Sequence, residues 1–245
     1  MEFQVIHIRE TESTNVYARQ LLNQEKKLTD FCVVCQHQVA GKGQLGASWQ
    51  TESGKNLTFS VVLKNLKLEV QDQFKLSALV SLNLITALNN LGFFKVQLKW
   101  PNDIISNRYK IAGILIETII QNREVNTAII GIGLNVNQTQ FNNLPQASSL
   151  KNIMGIHYNL NEVLHQILFE MQKIPIQLKT RNAVDVFEKY HQLLFRKQQA
   201  SMFKFPDGSV QPGIIQGVKN NGSLRVLFED EFEKEFDVKE IKLMY

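Results

Sequence analysis

The chain has no run of roughly 18 consecutive apolar residues, so no membrane-crossing helix is expected. It has no block of Lys and Arg either. Its formal net charge of +4 is spread along 245 residues, which solubility alone accounts for, and neither a nucleic acid nor a membrane surface is expected as a partner. The opening "MEFQVIHIRE" carries an early acid and no apolar run behind basic residues, so it does not read as a secretory signal, and the expected location is the cytoplasm. Cysteine is scarce: Cys32 and Cys35 stand alone in "DFCVVCQHQ". A redox or metal role for such a pair needs an exposed helix start or a second ligand pair, and the sequence offers neither. Phe31, Val33 and Val34 around them read as a buried strand, on which residues three apart point to opposite faces. Both thiols are therefore expected to be structural. The five histidines lack metal-ligand spacing, and there is no internal repeat or low-complexity tract.

What is present is an ordinary globular composition, 44% hydrophobic and 20% charged. The length suits one domain, or a large one with a small one. Ser13, Thr14 and Asn15 are good N-cap chemistry and open a short helix. Phe31–Cys35 and Leu57–Leu63 read as strands, and Phe74–Leu91 reads as a buried helix stopped by Gly92. Val96–Trp100, Lys110–Ile119 and Val125–Val136 are rich in β-branched residues, with Asn107-Arg108 suited to closing a hairpin between the first two. Leu160, Val163, Leu164, Ile167, Leu168 and Met171 share one helical face, and Val186, Phe187, Tyr190, Leu193 and Leu194 share another. From about Gln198 short strands surround Asp207-Gly208 and Asn221-Gly222, both strong hairpin signals. The expected fold class is α+β: a mixed β-sheet with flanking helices, on one side, over residues 1–197, and a small β-barrel docked on it over 198–245.

The stretch "VAGKGQLGASWQTESGKNLTFS" contains Gly41, Gly43 and Gly46 at the spacing of a dinucleotide-binding turn. That fold needs strand, glycine turn, then a helix to receive the pyrophosphate. Here the chain passes instead into the strand Leu57–Leu63, so the dinucleotide reading fails, and no G-x-x-x-x-G-K-[ST] loop occurs. What remains is either a mobile surface turn or a concavity whose glycines let backbone N–H groups approach an anion. Lys42 and Lys55 would add charge to the latter and Trp49 a flat face.

The sequence resembles biotin–protein ligases across nearly its whole length. The resemblance rests on "GKGQLGASW" with "SGKNLTFS", "KWPND" at Lys99–Asp103, "KIAGILIE" at Lys110–Glu117 and "GIGLNVN" at Gly131–Asn137, preceded by "ESTN". It implies a biotin-ligase-like catalytic domain related to class II synthetases and an SH3-like C-terminal barrel. It also implies a form without the N-terminal winged-helix DNA-binding domain of repressor-type members. The implied reaction has two steps: biotin and ATP give biotinyl-5′-AMP, and a lysine of a biotin carboxyl carrier protein then takes the biotinyl group. Mg2+ would come with the ATP, with no metal site from the protein alone. By resemblance, Ser13, Thr14, Asn15 and Gln38 would hydrogen-bond biotin's ureido head. Gly41, Lys42, Gly43 and Gln44 would lie along its carboxylate and the α-phosphate, with backbone groups from Gly113 and Leu115. Lys110 is the leading catalytic residue and Asp103 the group that orients the incoming lysine. Lys99 and Asn102 would contact phosphate or metal, and Trp49 and Asn135 adenine, while Trp100 and Pro101 would shape the turn.

Common family members carry arginines where this chain has Lys42, Gln44 and Ala47. A guanidinium holds phosphate bidentately, lysine acts as a point charge, and glutamine and alanine carry none. This departure implies faster loss of the adenylate. The alternatives are a lipoate–protein ligase and a non-catalytic module of the same fold. Glu117 with Asp103 would suggest a paired-carboxylate hydrolase, which nothing else in the sequence supports. Monomer and homodimer both remain open.

Overall fold

The computed structural model describes residues 3–25, 27–229 and 232–245. The chain begins with β1 (Gln4–Thr11), α1 (Thr14–Gln24), β2 (Phe31–Gln38), a hairpin of β3 (Gly41–Lys42) and β4 (Ser48–Trp49), and β5 (Leu57–Leu63). Then come β6 (Leu68–Glu69), α2 (Gln73–Asn90), β7 (Val96–Lys99), β8 (Asp103–Ser106), β9 (Tyr109–Gln121) and β10 (Glu124–Leu134). Four helices follow: α3 (Leu150–Met154), α4 (Leu160–Met171), α5 (Ile174–Thr180) and α6 (Ala183–Gln192). The chain closes with β11 (Ala200–Lys204), β12 (Val210–Val218), β13 (Leu224–Phe228), β14 (Glu233–Phe236) and β15 (Lys242–Met244).

The apolar runs of the first part pair into one mixed sheet in the order β1–β2–β5–β10–β9–β8–β7, with β6 on β10. β1 runs parallel to β2 and the other pairs are antiparallel. Segments buried on both faces must satisfy their backbone in such ladders. β2 shows why both faces need cover. Cys32 and Val34 enter the main core with Leu76, Leu79 and Leu84 of α2, while Phe31 and Val33 meet Ala18 of α1, Val62 and Ile129. The expectation of helices on one side is thus corrected: α1 lies on the opposite face from α2. The two thiols are free and buried, and burial raises the pKa of both, as structural cysteines require.

α2 buries residues nearly all round its axis, and the chain turns away at Gly92 with φ +81°. β1, α3 and α5 are additions to the sequence reading. α5 carries Pro175 in its first turn, where the missing N–H costs no internal hydrogen bond. α6 ends at Gln192, so Leu193 and Leu194 lie past it, and Leu98 exchanges backbone bonds with Leu193 and Phe195 there at 2.8 and 2.7 Å.

The C-terminal strands form a five-stranded antiparallel sheet in the order β14–β13–β12–β11–β15, an open path in the position of the expected SH3-like unit. Phe203, Phe228 and Phe236 fill its core, which is continuous with that of the first sheet. Trp100 ties the two together by donating its Nε1–H to the Gly222 carbonyl at 2.8 Å.

Candidate active site

α1's start, the β3–β4 hairpin and the middles of β9 and β10 surround a cavity of about 520 Å3. One end is neutral and polar. Ser13 occupies the N-cap position of α1 with an extended backbone, but its hydroxyl does not cap the helix. The Thr14 N–H instead donates to Gln38 Oε1 at 2.8 Å. Ser60 Oγ, fully buried on β5, lies 2.6 Å from Asn15 Oδ1 and 2.7 Å from Thr14 Oγ1. An amide oxygen can only accept, so the single Ser60 proton goes to Asn15, and the Thr14 hydroxyl has two acceptors in reach, Ser60 Oγ and, at 3.3 Å, Gln38 Oε1. Asn15 Nδ2 donates to Glu117 Oε2 at 2.9 Å and to the Leu115 carbonyl at 3.3 Å. Both amides are thereby oriented. Asn15 keeps a lone pair on Oδ1 as an acceptor, and Gln38 keeps Nε2 as a donor.

Gly131 and Gly133 on β10 form the floor. A Cβ at Gly131 would run into Asn15 Oδ1, and one at Gly133 would run into the indole of Trp49. Gly133 pairs with Gly113 of β9, so Trp49 lies on bare backbone. Its Nε1–H is buried without a partner, as is Gln44 Oε1. The glycine segment is a hairpin, closed by Gly43 N–H on the Ala47 carbonyl at 2.6 Å, with a short 3-10 turn at Gln44–Gly46. No helix follows it, which excludes the dinucleotide turn.

The other end is charged. The β8–β9 hairpin turns at Asn107, with φ +58°, and a bulge between Ile104 and Ile105 shifts the register. Asp103 therefore pairs in the ladder with Gly113, yet its side chain meets Lys110. Lys110 Nζ lies 2.6 Å from Asp103 Oδ1, and Lys99 Nζ lies 3.3 Å from Oδ2. One carboxylate thus holds two ammonium groups, and the cluster keeps an excess positive charge. The Lys110 ammonium also lies 5.5 Å from the Trp49 ring centroid. Asn102 lines the cavity while its Nδ2 donates to the Ile114 carbonyl at 2.8 Å.

Of the residues singled out from the sequence, Ser13, Thr14, Asn15, Gln38, Lys42, Gly43, Gln44, Trp49, Asn102, Asp103, Lys110, Gly113 and Leu115 line this cavity. Gly41, Lys99 and Asn135 do not. Gly41 is buried against Trp49 and Gln38. Lys99 stands behind Asp103, with its ammonium 5.2 Å from the Tyr245 ring centroid. Asn135 is buried, donates to the Ser148 carbonyl at 3.0 Å and leaves Oδ1 without a partner. Glu117 is engaged by Asn15 and by Arg19 at 3.7 Å, whereas Asp103 is engaged by the two lysines, so the carboxylates do not act as a pair. Sequence reading missed Ser60, Gly131 and Gly133. A signal existed for the glycines: a G-x-G inside a β-branched run marks close approach to a strand. It also missed Val238 and Lys239, which reach the cavity from the second sheet and had no local signal.

The model of the biotin/lipoate A/B protein ligase family matches residues 7–135, more than half of the chain. The chain belongs to that family. The matched region carries both ends of the cavity, from the Ser13–Asn15 cluster to Asp103, Lys110 and the β10 glycines. Among curated relatives, the bifunctional ligase/repressor BirA of Bacillus subtilis is 32% identical over 146 residues, 58% of this chain and 44% of that protein. This chain therefore spans less than half the length of that relative. The biotin–[acetyl-CoA-carboxylase] ligase of Mycobacterium tuberculosis is 25% identical over 220 residues, covering 89% of this chain and 80% of its own. Among solved structures, the biotin protein ligase from Aquifex aeolicus in complex with biotin and ATP superimposes with a TM-score of 0.79. It covers 98% of both chains at 23% identity, a likeness of fold. The chain thus shares its architecture, a mixed sheet with flanking helices and a small C-terminal β unit, with that structure.

Proposed function

We propose that the chain is an ATP-dependent biotin–protein ligase that forms biotinyl-5′-AMP and transfers the biotinyl group to a lysine of a biotin carboxyl carrier protein. The observation that carries this reading is the cavity's two-ended chemistry. Its neutral end presents an oriented acceptor, Asn15 Oδ1, beside the donors of Gln38 Nε2 and Ser13 Oγ. That pattern suits a cyclic urea, which both donates and accepts. Its charged end, about Lys110, suits a carboxylate meeting a phosphate. The relative named as a biotin ligase, and the similar structure that holds biotin and ATP, support the same assignment.

In the first step the biotin carboxylate attacks the α-phosphate and pyrophosphate leaves. The Lys110 ammonium, with Lys42, stabilises the charge that develops between them, and Gly43, whose N–H closes the hairpin on Ala47, shapes the wall beside them. Gln44 lies beside them, and the backbones of Gly113 and Leu115 flank the chain of biotin. Trp49 serves the adenine side and Asn102 the phosphate side, while Lys99 and Asn135 act from behind the wall, Lys99 through Asp103 and Asn135 through the Ser148 carbonyl. In the second step the acceptor amine attacks the acyl carbon and AMP leaves. Asp103 orients that amine while holding Lys110 in place. No group of three or more His, Cys, Asp or Glu forms a metal cage among the described residues, and Asp103 is the one carboxylate in the cavity wall. Those residues fit Mg2+ as an ion carried by the nucleotide phosphates, where it neutralises their charge.

Incubation with biotin, ATP, Mg2+ and a biotin carboxyl carrier domain tests the reading by mass spectrometry. The carrier gains one biotinyl group on one lysine. Asp103→Asn slows single-turnover transfer more than adenylate formation. A carrier left unmodified by biotin but lipoylated from lipoate would overturn the assignment.

A further inference from the structure

The turn between β14 and β15 brings a charge to the cavity from the second sheet. Lys239 lines the wall together with Lys42, Asp103 and Lys110. Lys110 shares the Asp103 carboxylate with Lys99, but neither Lys42 nor Lys239 has an ion-pair partner among the described residues. The carboxylates flanking Lys239 accept hydrogen bonds from other groups and form no ion pair with it. Glu240 Oε2 accepts the Asp237 N–H at 2.7 Å, and Asp237 Oδ1 accepts from Ser223 Oγ at 3.1 Å. The turn closes with Glu240 N–H on the Asp237 carbonyl at 3.1 Å and holds Lys239 at φ +80°, in the left-handed region that disfavours a lysine. A residue at conformational cost, exposed, unpaired and facing a cavity, calls for a ligand of opposite charge.

We propose that Lys239 is a nucleotide-binding residue whose ammonium, brought by the second sheet, holds the polyphosphate of ATP together with Lys42 of the β3–β4 hairpin. The proposal rests on the ligase reading above and deepens it. The β3–β4 hairpin brings one cation, Lys42, to the wall, and its other side chains there, Gln44, Ala47 and Trp49, are uncharged. A polyanion bound by that hairpin alone would be held by a single point charge on one flank. Lys239 supplies the second, so the C-terminal sheet completes the nucleotide site.

Lys239→Gly separates this role from a structural one, because glycine accepts φ +80° without strain and the variant folds at least as well as the parent. ATP affinity is read by calorimetry without biotin, and ATP and biotin KM values by ATP–pyrophosphate exchange. At low salt, Lys239→Gly raises the Kd and KM for ATP about three- to tenfold with the KM for biotin and the melting temperature maintained. Lys239→Arg keeps the wild-type values, and added salt narrows the difference. An unchanged ATP affinity in Lys239→Gly overturns the proposal, as does a change confined to the KM for the carrier domain. Should the wild-type chain show no biotin-dependent exchange, the ligase reading falls, while the calorimetric ATP affinity still decides Lys239.

Discussion

Gly131 sits where the backbone of β10 passes beneath the Asn15 amide, and the position has no room for a methyl group. Asn15 is held there by Ser60, Leu115 and Glu117, so a Cβ at 131 must tilt an amide that three partners have oriented. Overpacking of this kind costs about 1–3 kcal/mol. Gly131→Ala is expected to raise the KM for biotin at least about tenfold, with ATP affinity in the absence of biotin unchanged. Equal losses in both would place the damage in the fold rather than in the head-group pocket. At this scale the sequence was half legible. Ser13, Thr14, Asn15 and Gln38 were marked by resemblance, but Ser60, 45 residues from Asn15, looked like one polar member of an alternating strand. Its role depends on the register of β5 against β10, which no local pattern encodes.

On the proposed function, adenylate retention turns on the β3–β4 hairpin. It presents Lys42, Gln44 and Ala47 to the cavity, and only the first is charged. Arginines at 44 and 47 would add bidentate donors for a phosphate already flanked by Lys42 and Lys110. The double variant Gln44→Arg/Ala47→Arg is expected to release biotinyl-AMP about three- to tenfold more slowly in a rapid-dilution chase. An unchanged off-rate would mean that the hairpin does not grip the phosphate. The turn at Asn107 was legible, but the strand it closes onto β9 is β8 rather than Val96–Trp100, and the bulge at Ile104, across which Asp103 meets Lys110, had no local signal. The side on which α1 packs was misjudged. Its own sequence fixes an apolar stripe, but which sheet face receives that stripe depends on the crossover from β1 to the parallel β2.

The two sheets share one core, and α6 carries a titratable latch between them. His191 Nε2 lies 3.0 Å from the Val218 nitrogen and 2.9 Å from the Val218 carbonyl of β12, so a neutral ring with its proton on Nδ1 accepts the N–H, whereas a protonated ring can only donate to the carbonyl. Burial lowers the His191 pKa below its usual 6.5; Lys197 and Arg225 push it the same way, and the Val218 carbonyl opposes them in part. The unfolded chain therefore takes up a proton near pH 6.5 before the folded one does, so stability falls as pH drops through and below that value. Between about pH 7.5 and about 5.5 the melting temperature of the wild type is expected to fall more than that of His191→Gln. Parallel pH profiles would remove His191 as the cause. This docking brings Lys239 to the cavity and ties Trp100, next to Pro101 of the cavity wall, to Gly222. Sequence reading saw the second unit in its Asp-Gly and Asn-Gly turns but had no means to see which turn would reach the site. ATP–pyrophosphate exchange tests most directly whether the cavity joins biotin to the α-phosphate with Lys110 stabilising the developing charge. The account predicts exchange that depends on biotin and not on lipoate, reduced at least about 100-fold by Lys110→Ala; exchange with lipoate but not with biotin would contradict it.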